Sequence, residues 1–177
     1  MKNILLTISL ICYALFVSSC KESPKDEGLP IEVVKAQGYN IGVYDFESFK
    51  TILTKKDDKI RIVNFWATWC KPCIEEMPYF ELINSAYADK NVEVILVSLD
   101  LPSQIESKLI PYLERQKIKS KVLILDDPDA NSWIPKVSTN WSGAIPATYI
   151  YRGDKNQFYE KSFSYNELEK ALKSFLK

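Results

Sequence analysis

Histidine is absent from this chain, and cysteine occurs only four times. A zinc site takes about four N, S or O ligands, as a rule from paired cysteines and histidines. With no histidine and no second cysteine pair, carboxylates or a second copy would have to complete one, so no metal is expected. Covalent haem attachment is excluded as well, because the residue after Cys73 is Ile74 rather than His. Excess charge of either sign is also missing: 23 Lys+Arg balance 23 Asp+Glu, which gives no reason to expect nucleic acid as a partner. There is no internal repeat and no low-complexity stretch. The 177 residues, 46% of them hydrophobic, suit one domain with one substantial core.

No apolar run is long enough for a comfortable bilayer span. Ile4 to Val17 comes nearest, with Lys2 before it and polar sequence after it, and reads as a cleaved export signal. Val17-Ser18-Ser19-Cys20 resembles the lipobox of bacterial lipoproteins, in which cleavage leaves the cysteine as a lipidated N-terminus. That resemblance implies a membrane contact through a lipid anchor on Cys20. The alternative is an ordinary signal peptide ahead of an incidental cysteine. Lys21 stands where an inner-membrane retention signal has Asp, so the resemblance points to the outer membrane of a bacterial envelope, facing the periplasm. Residues 21–30 are charged, contain Pro and Gly, and read as a flexible tether of roughly 30 Å when extended. The organisation expected is a signal over 1–20, a tether over 21–30 and a domain over 31–177.

Cys12 leaves with the signal and Cys20 is committed to lipid, so Cys70 and Cys73 are alone in the exported domain. A bridge across two intervening residues closes so short a loop that it stabilises little. A structural staple is therefore a poor reading, and redox chemistry is what remains.

Apolar or alternating runs predict strands at Ile60–Ala67, Val92–Leu99, Lys121–Leu125, Ala147–Tyr151 and Gln157–Phe163, with a further edge strand near residue 31. Asp45 can cap a helix that presents Phe46, Phe49 and Leu53. Ser103 with Glu106, and Ser164 with Glu167, both fit a capping box. One more short helix is expected between residues 129 and 142, with Pro128 and Pro135 in loops. The alternation argues an α/β fold, a central mixed β-sheet flanked by helices on both faces and ended by an antiparallel hairpin.

The strand ending near Ala67 feeds a helix starting close to Cys70. Unpaired backbone N–H groups and the helix dipole there favour a thiolate, and Pro72 costs nothing in a first turn. Lys71 adds a positive charge nearby, unless solvent screens it.

Residues Asn64-Phe-Trp-Ala-Thr-Trp-Cys-Lys-Pro-Cys73, followed by Glu76, Pro78 and a distant Gly143-Ala-Ile-Pro-Ala-Thr-Tyr, carry a family resemblance. The chain resembles the thioredoxin-like thiol–disulfide oxidoreductases of the membrane-tethered TlpA/ResA type. The resemblance implies a thioredoxin-like fold with a TlpA-type helix–strand insertion between Leu99 and Asn131. It implies a redox-active disulfide, Cys70–Cys73, and no other cofactor. Cys70 would be the exposed nucleophile and Cys73 the buried resolving cysteine. Trp66 and Trp69 would shield the pair and flank a substrate groove, with core packing as the alternative, above all for Trp66, and Pro78 would kink the helix. Pro146 would be a cis-proline facing the cysteines, leaving Ile145 free to pair with an extended substrate chain.

Where cytosolic thioredoxins bury an Asp beneath the cysteines, this chain has Asn64, which cannot take a proton. The resemblance assigns that duty to Glu76, whose alternative is a solvated surface acid like Glu75. The activity implied is reduction of protein disulfides, with protein thiols or disulfides as substrates. A transmembrane thiol carrier would donate electrons, and cytochrome c maturation is one setting. A thioredoxin-like peptide-binding module with little turnover is the competing reading. A redoxin-type peroxidase fits less well, for its pattern of Pro, Thr and a lone Cys is missing.

Overall fold

The structure, a computed structural model, describes residues 28–176. The expected export signal, Cys20 and residues 21–27 of the expected tether lie outside those residues. β1 (Glu32–Ala36) and β2 (Tyr39–Tyr44) pair antiparallel through a turn at Gln37 and Gly38, both at positive φ. β2 escaped the sequence reading because Asn40 and Gly42 dilute its alternation. Gly42 is needed there, since a side chain would press on Pro30 and the Tyr44 ring. The last residues of the expected tether lie against the domain. Pro30 packs on Gly42, a side chain at Gly28 would collide with the Thr51 hydroxyl, and the Ile31 N–H donates to the Val43 carbonyl at 2.8 Å.

α1 (Phe46–Leu53) starts where expected, with the Ser48 N–H on the Asp45 carboxylate at 2.8 Å. β3 (Ile60–Trp66), α2 (Lys71–Ala86), β4 (Val92–Ser98), α3 (Ile110–Gln116) and β5 (Lys121–Leu125) follow. α4 (Ala130–Val137), β6 (Ala147–Arg152), β7 (Lys155–Tyr159) and α5 (Tyr165–Lys173) complete the order. The seven strands make one mixed sheet in the order β1-β2-β5-β4-β3-β6-β7. β2, β5, β4 and β3 run parallel, while β1, β6 and β7 are antiparallel to their neighbours. Between Leu99 and Asn131 lie α3 and β5, and β5 fills the place between β2 and β4.

β3 lies inside the sheet between β4 and β6, and every residue of it is buried because both its faces are covered. Strand geometry sends alternate side chains to opposite faces. Ile62 and Trp66 therefore meet Met77, Phe80 and Leu168 from α2 and α5, whereas Val63 and Phe65 meet Phe49, Trp133 and Trp141 from the other side. The fold is α/β and thioredoxin-like.

Three sequence expectations fail locally. Ser103 and Glu106 form no capping box: Pro102 starts a 3₁₀ turn, which passes through a π-helical stretch, Ile105–Leu109, into α3. Pro135 lies inside the last turns of α4, where its ring removes only one backbone bond. The last strand ends at Tyr159, short of Phe163, whose main chain is drawn to a buried carboxylate described below.

The capping box at α5 does form. Ser164 Oγ accepts the Glu167 N–H at 3.4 Å, and Glu167 Oε2 accepts the Ser164 N–H at 2.9 Å. Ser164→Ala is expected to cost about 1 kcal/mol. A lower urea midpoint with an unchanged slope would register that loss.

Candidate active site

β3 stays buried to its last residue, with Arg61 and Asn64 as its polar members, and Ala67, Thr68 and Trp69 then turn the chain into α2. The Leu99 N–H donates to the Trp66 carbonyl at 2.8 Å, and the Cys70 N–H to the Ala67 carbonyl at 3.1 Å. These bonds deliver Cys70 to the N-cap of α2, where its Sγ accepts the Cys73 N–H at 3.4 Å. Helix amides without partners converge there, so negative charge on sulfur is favoured. Pro72 sits in the first turn. Cys70 and Cys73 are disulfide-bonded, with Cα atoms 5.3 Å apart.

The pair is asymmetric, although less so than the resemblance implies. Cys73 is wholly buried and Cys70 is 5% exposed, so Cys70 is a rim residue and not an exposed one. Its cover comes from the loop before β6: the Ile145 carbonyl lies 3.7 Å from Cys70 Sγ. The Ile145–Pro146 bond is cis. Ile145 stands beyond the last pair joining β3 to β6, Phe65 with Ala147, so β3 does not claim its main chain.

The two tryptophans part company. Trp69 is 63% exposed beside Cys70, as expected of a groove wall. Trp66 is fully buried against Tyr112, with ring centroids 5.3 Å apart, and cannot flank a surface groove. It ends a strand whose alternation turns it into the core. Pro78 lies inside α2, where it removes the bond to the Ile74 carbonyl. Lys71 projects into solvent and pairs with Glu75 at 3.8 Å, so its charge is shared and screened.

Glu76 is not a surface acid. It follows Cys73 by one helical turn, on the same face, and is 1% exposed. Burial pushes its carboxyl up to about 7, against the opposing pull of bonds from the Phe163 N–H and Asn64. Those donors stand at 2.7 Å and 3.2 Å. Asn64 also donates to Thr148 Oγ1 at 3.1 Å, while its own Oδ1 has no partner. An acid that changes charge near neutrality thus lies one helical turn from the buried cysteine, in a site of low dielectric. Among the described residues, no three His, Cys, Asp or Glu side chains gather as a metal site.

Sequence reasoning missed the Phe163 amide and the Thr148 hydroxyl. A threonine two residues after Pro146 was a visible signal for the second, but nothing local marks a backbone amide as a partner.

The chain matches the model of the AhpC/TSA family over residues 35–156. It belongs to that family. It is 31% identical over 115 residues to the thiol-disulfide oxidoreductase ResA of Bacillus cereus, covering 65% of this chain and 61% of that one. Its span of that relative is therefore under two thirds. It is 30% identical to the thioredoxin-like protein YneN of Bacillus subtilis, over 70% of this chain and 69% of that protein. Among solved structures, a thioredoxin-family thiol:disulfide interchange protein of Chlorobium tepidum superposes with TM-score 0.59. That likeness is 18% identical and covers 85% of this chain and 98% of the other. A thioredoxin-related protein of Neisseria meningitidis gives 0.58 at 24% identity, over 70% and 89%. These likenesses carry the fold.

Proposed function

We propose that this protein is a thiol–disulfide oxidoreductase that reduces disulfides in protein substrates of the bacterial envelope. The observation that carries the reading is the bonded Cys70–Cys73 pair at the start of α2, with Glu76 buried one turn further on. The ResA relatives, named thiol-disulfide oxidoreductases, support it.

In the reduced protein, the Cys70 thiolate attacks one sulfur of a substrate disulfide. A mixed disulfide forms and the other substrate sulfur leaves as a thiol. Cys73 gives its proton to Glu76 and attacks Cys70 Sγ. The second substrate thiol is released and the Cys70–Cys73 bond closes again. The substrate gains two electrons from the thiols and two protons, the one that Cys70 shed on forming its thiolate and the one that Cys73 passed to Glu76, which Glu76 gives up in turn. A dithiol carrier in the membrane then returns the pair to its thiols. Trp69 supplies an apolar wall, and Ile145, held by cis-Pro146, offers its main chain to an extended peptide. A lipid on Cys20 would hold the domain to the membrane, with the outer membrane as its place and apocytochrome c cysteines as one substrate.

The test is insulin reduction with a chemical reductant, beside a trap. Cys73→Ser is expected to accumulate substrates joined to Cys70, which diagonal gels would resolve. A wild-type rate equal to background, with an empty trap, would leave a peptide-binding module instead.

A further inference from the structure

The mechanism leaves one buried carboxylate without a role. Asp100, just past the end of β4, is 1% exposed. Among the described residues its hydrogen-bond donors are the amide and hydroxyl of Thr68 and the hydroxyl of Ser98, not a lysine or arginine. The Thr68 N–H reaches its two oxygens at 3.2 Å and 3.0 Å, and the Thr68 hydroxyl donates at 2.6 Å. The Ser98 hydroxyl donates at 2.8 Å, and the Asp100 N–H returns a bond to Ser98 Oγ at 3.0 Å. Every hydrogen placed on this carboxylate comes from a neutral group, and most come from one residue.

That residue is the middle of the turn between β3 and α2. Trp66 is the last residue of β3 paired with β4, opposite Ser98, so the ladder stops before Thr68. The Leu99–Trp66 bond is the last main-chain tie between β4 and this segment, and Cys70 follows four residues later. Without a side-chain anchor, Thr68 and Trp69 would be an untied link between a rigid strand and a rigid helix. A buried charge met only by hydrogen bonds is costly to keep, and a neutral serine would be cheaper if filling space were all that mattered.

We propose that Asp100 is the positioning residue for Cys70: by gripping both hydrogens of Thr68, it fixes the turn that sets Cys70 Sγ at the helix start and Trp69 on the rim. The attacking sulfur needs its orientation held to a fraction of an ångström, and supporting hydrogen bonds are the usual means. This inference concerns the site named under Proposed function, but its principal readout is an equilibrium and does not require turnover.

The test uses the folded full chain equilibrated with glutathione buffers, alongside the rate of insulin reduction. Asp100→Ala is expected to shift the equilibrium constant of the Cys70–Cys73 couple about tenfold, about 30 mV for a two-electron couple. Insulin reduction is expected to fall by a similar factor. Asp100→Asn still offers an oxygen to the Thr68 N–H and should recover most of both; it also keeps the test alive should the alanine variant fail to fold. Thr68→Val should reproduce part of the loss, and joining it to Asp100→Ala should cost less than the sum. An Asp100→Ala protein that melts lower but keeps its couple unchanged would make Asp100 a purely structural residue and overturn the proposal. Strict additivity with Thr68→Val would overturn it too, since the carboxylate would then not act through Thr68. An inactive wild type with a shifted couple in Asp100→Ala would sink the reductase reading and leave this one standing.

Discussion

Cys70→Ser is expected to bring insulin reduction down to the rate of the chemical reductant alone. A hydroxyl at that place does not ionise near neutrality, and only a sulfur anion attacks a disulfide at useful speed. Cys73 cannot substitute, because none of its surface meets solvent while Cys70 keeps a sliver of access. The loss should be total and independent of pH. Cys73→Ser should behave differently, retaining a single attack per molecule. Residual multiple turnover in the Cys70 variant would mean that the helix start opens enough to expose the inner sulfur.

The second large effect belongs to Glu76→Gln. The Glu76 carboxyl is raised from its ordinary 4.5 to about 7 in the folded protein. Between those values the unfolded chain releases this proton while the folded one retains it. Stability therefore falls as pH rises through that window, and levels off above about 7. The amount is about 3 kcal/mol on linkage arithmetic. Glu76→Gln should remove this slope and leave the variant the more stable protein at pH 8. Its amide can be accommodated, because Asn64 has a free oxygen that turns to accept a new N–H. Urea midpoints across pH check the sign, and a persisting slope would assign it to another group. The same substitution should slow breakdown of the mixed disulfide by roughly a hundredfold, as expected for loss of a general base. Unaltered single-turnover release would take Glu76 out of the proton path.

Much of this could be seen in the residues alone because it depends on short-range rules. The buried inner strands announced themselves by largely apolar runs, α1 and α5 by their caps, and Cys70 by its place between a strand and a helix. What escaped depends on partners far along the chain. Trp66 stood open between groove and core, and strand parity decides for the core by turning it inward against Tyr112. The π-helical stretch ahead of α3 overrode a capping pattern that was locally sound. Phe163 leaves its strand for an acid 87 positions earlier, which no periodicity encodes. Asp100 reads as a strand-end residue until Thr68 is placed beside it.

The sulfur pair and the Ile145 carbonyl that covers Cys70 are separated by 75 positions in sequence. The half of the pocket that holds the thiols is therefore made early in synthesis and the half that presents a client is made late. A nascent copy would carry a reactive dithiol with no means of choosing what it touches. Competence to recognise a client should appear only with completion of the sheet, so that refolding followed by thiol labelling would show sulfur reactivity settling in the same step that gains peptide affinity.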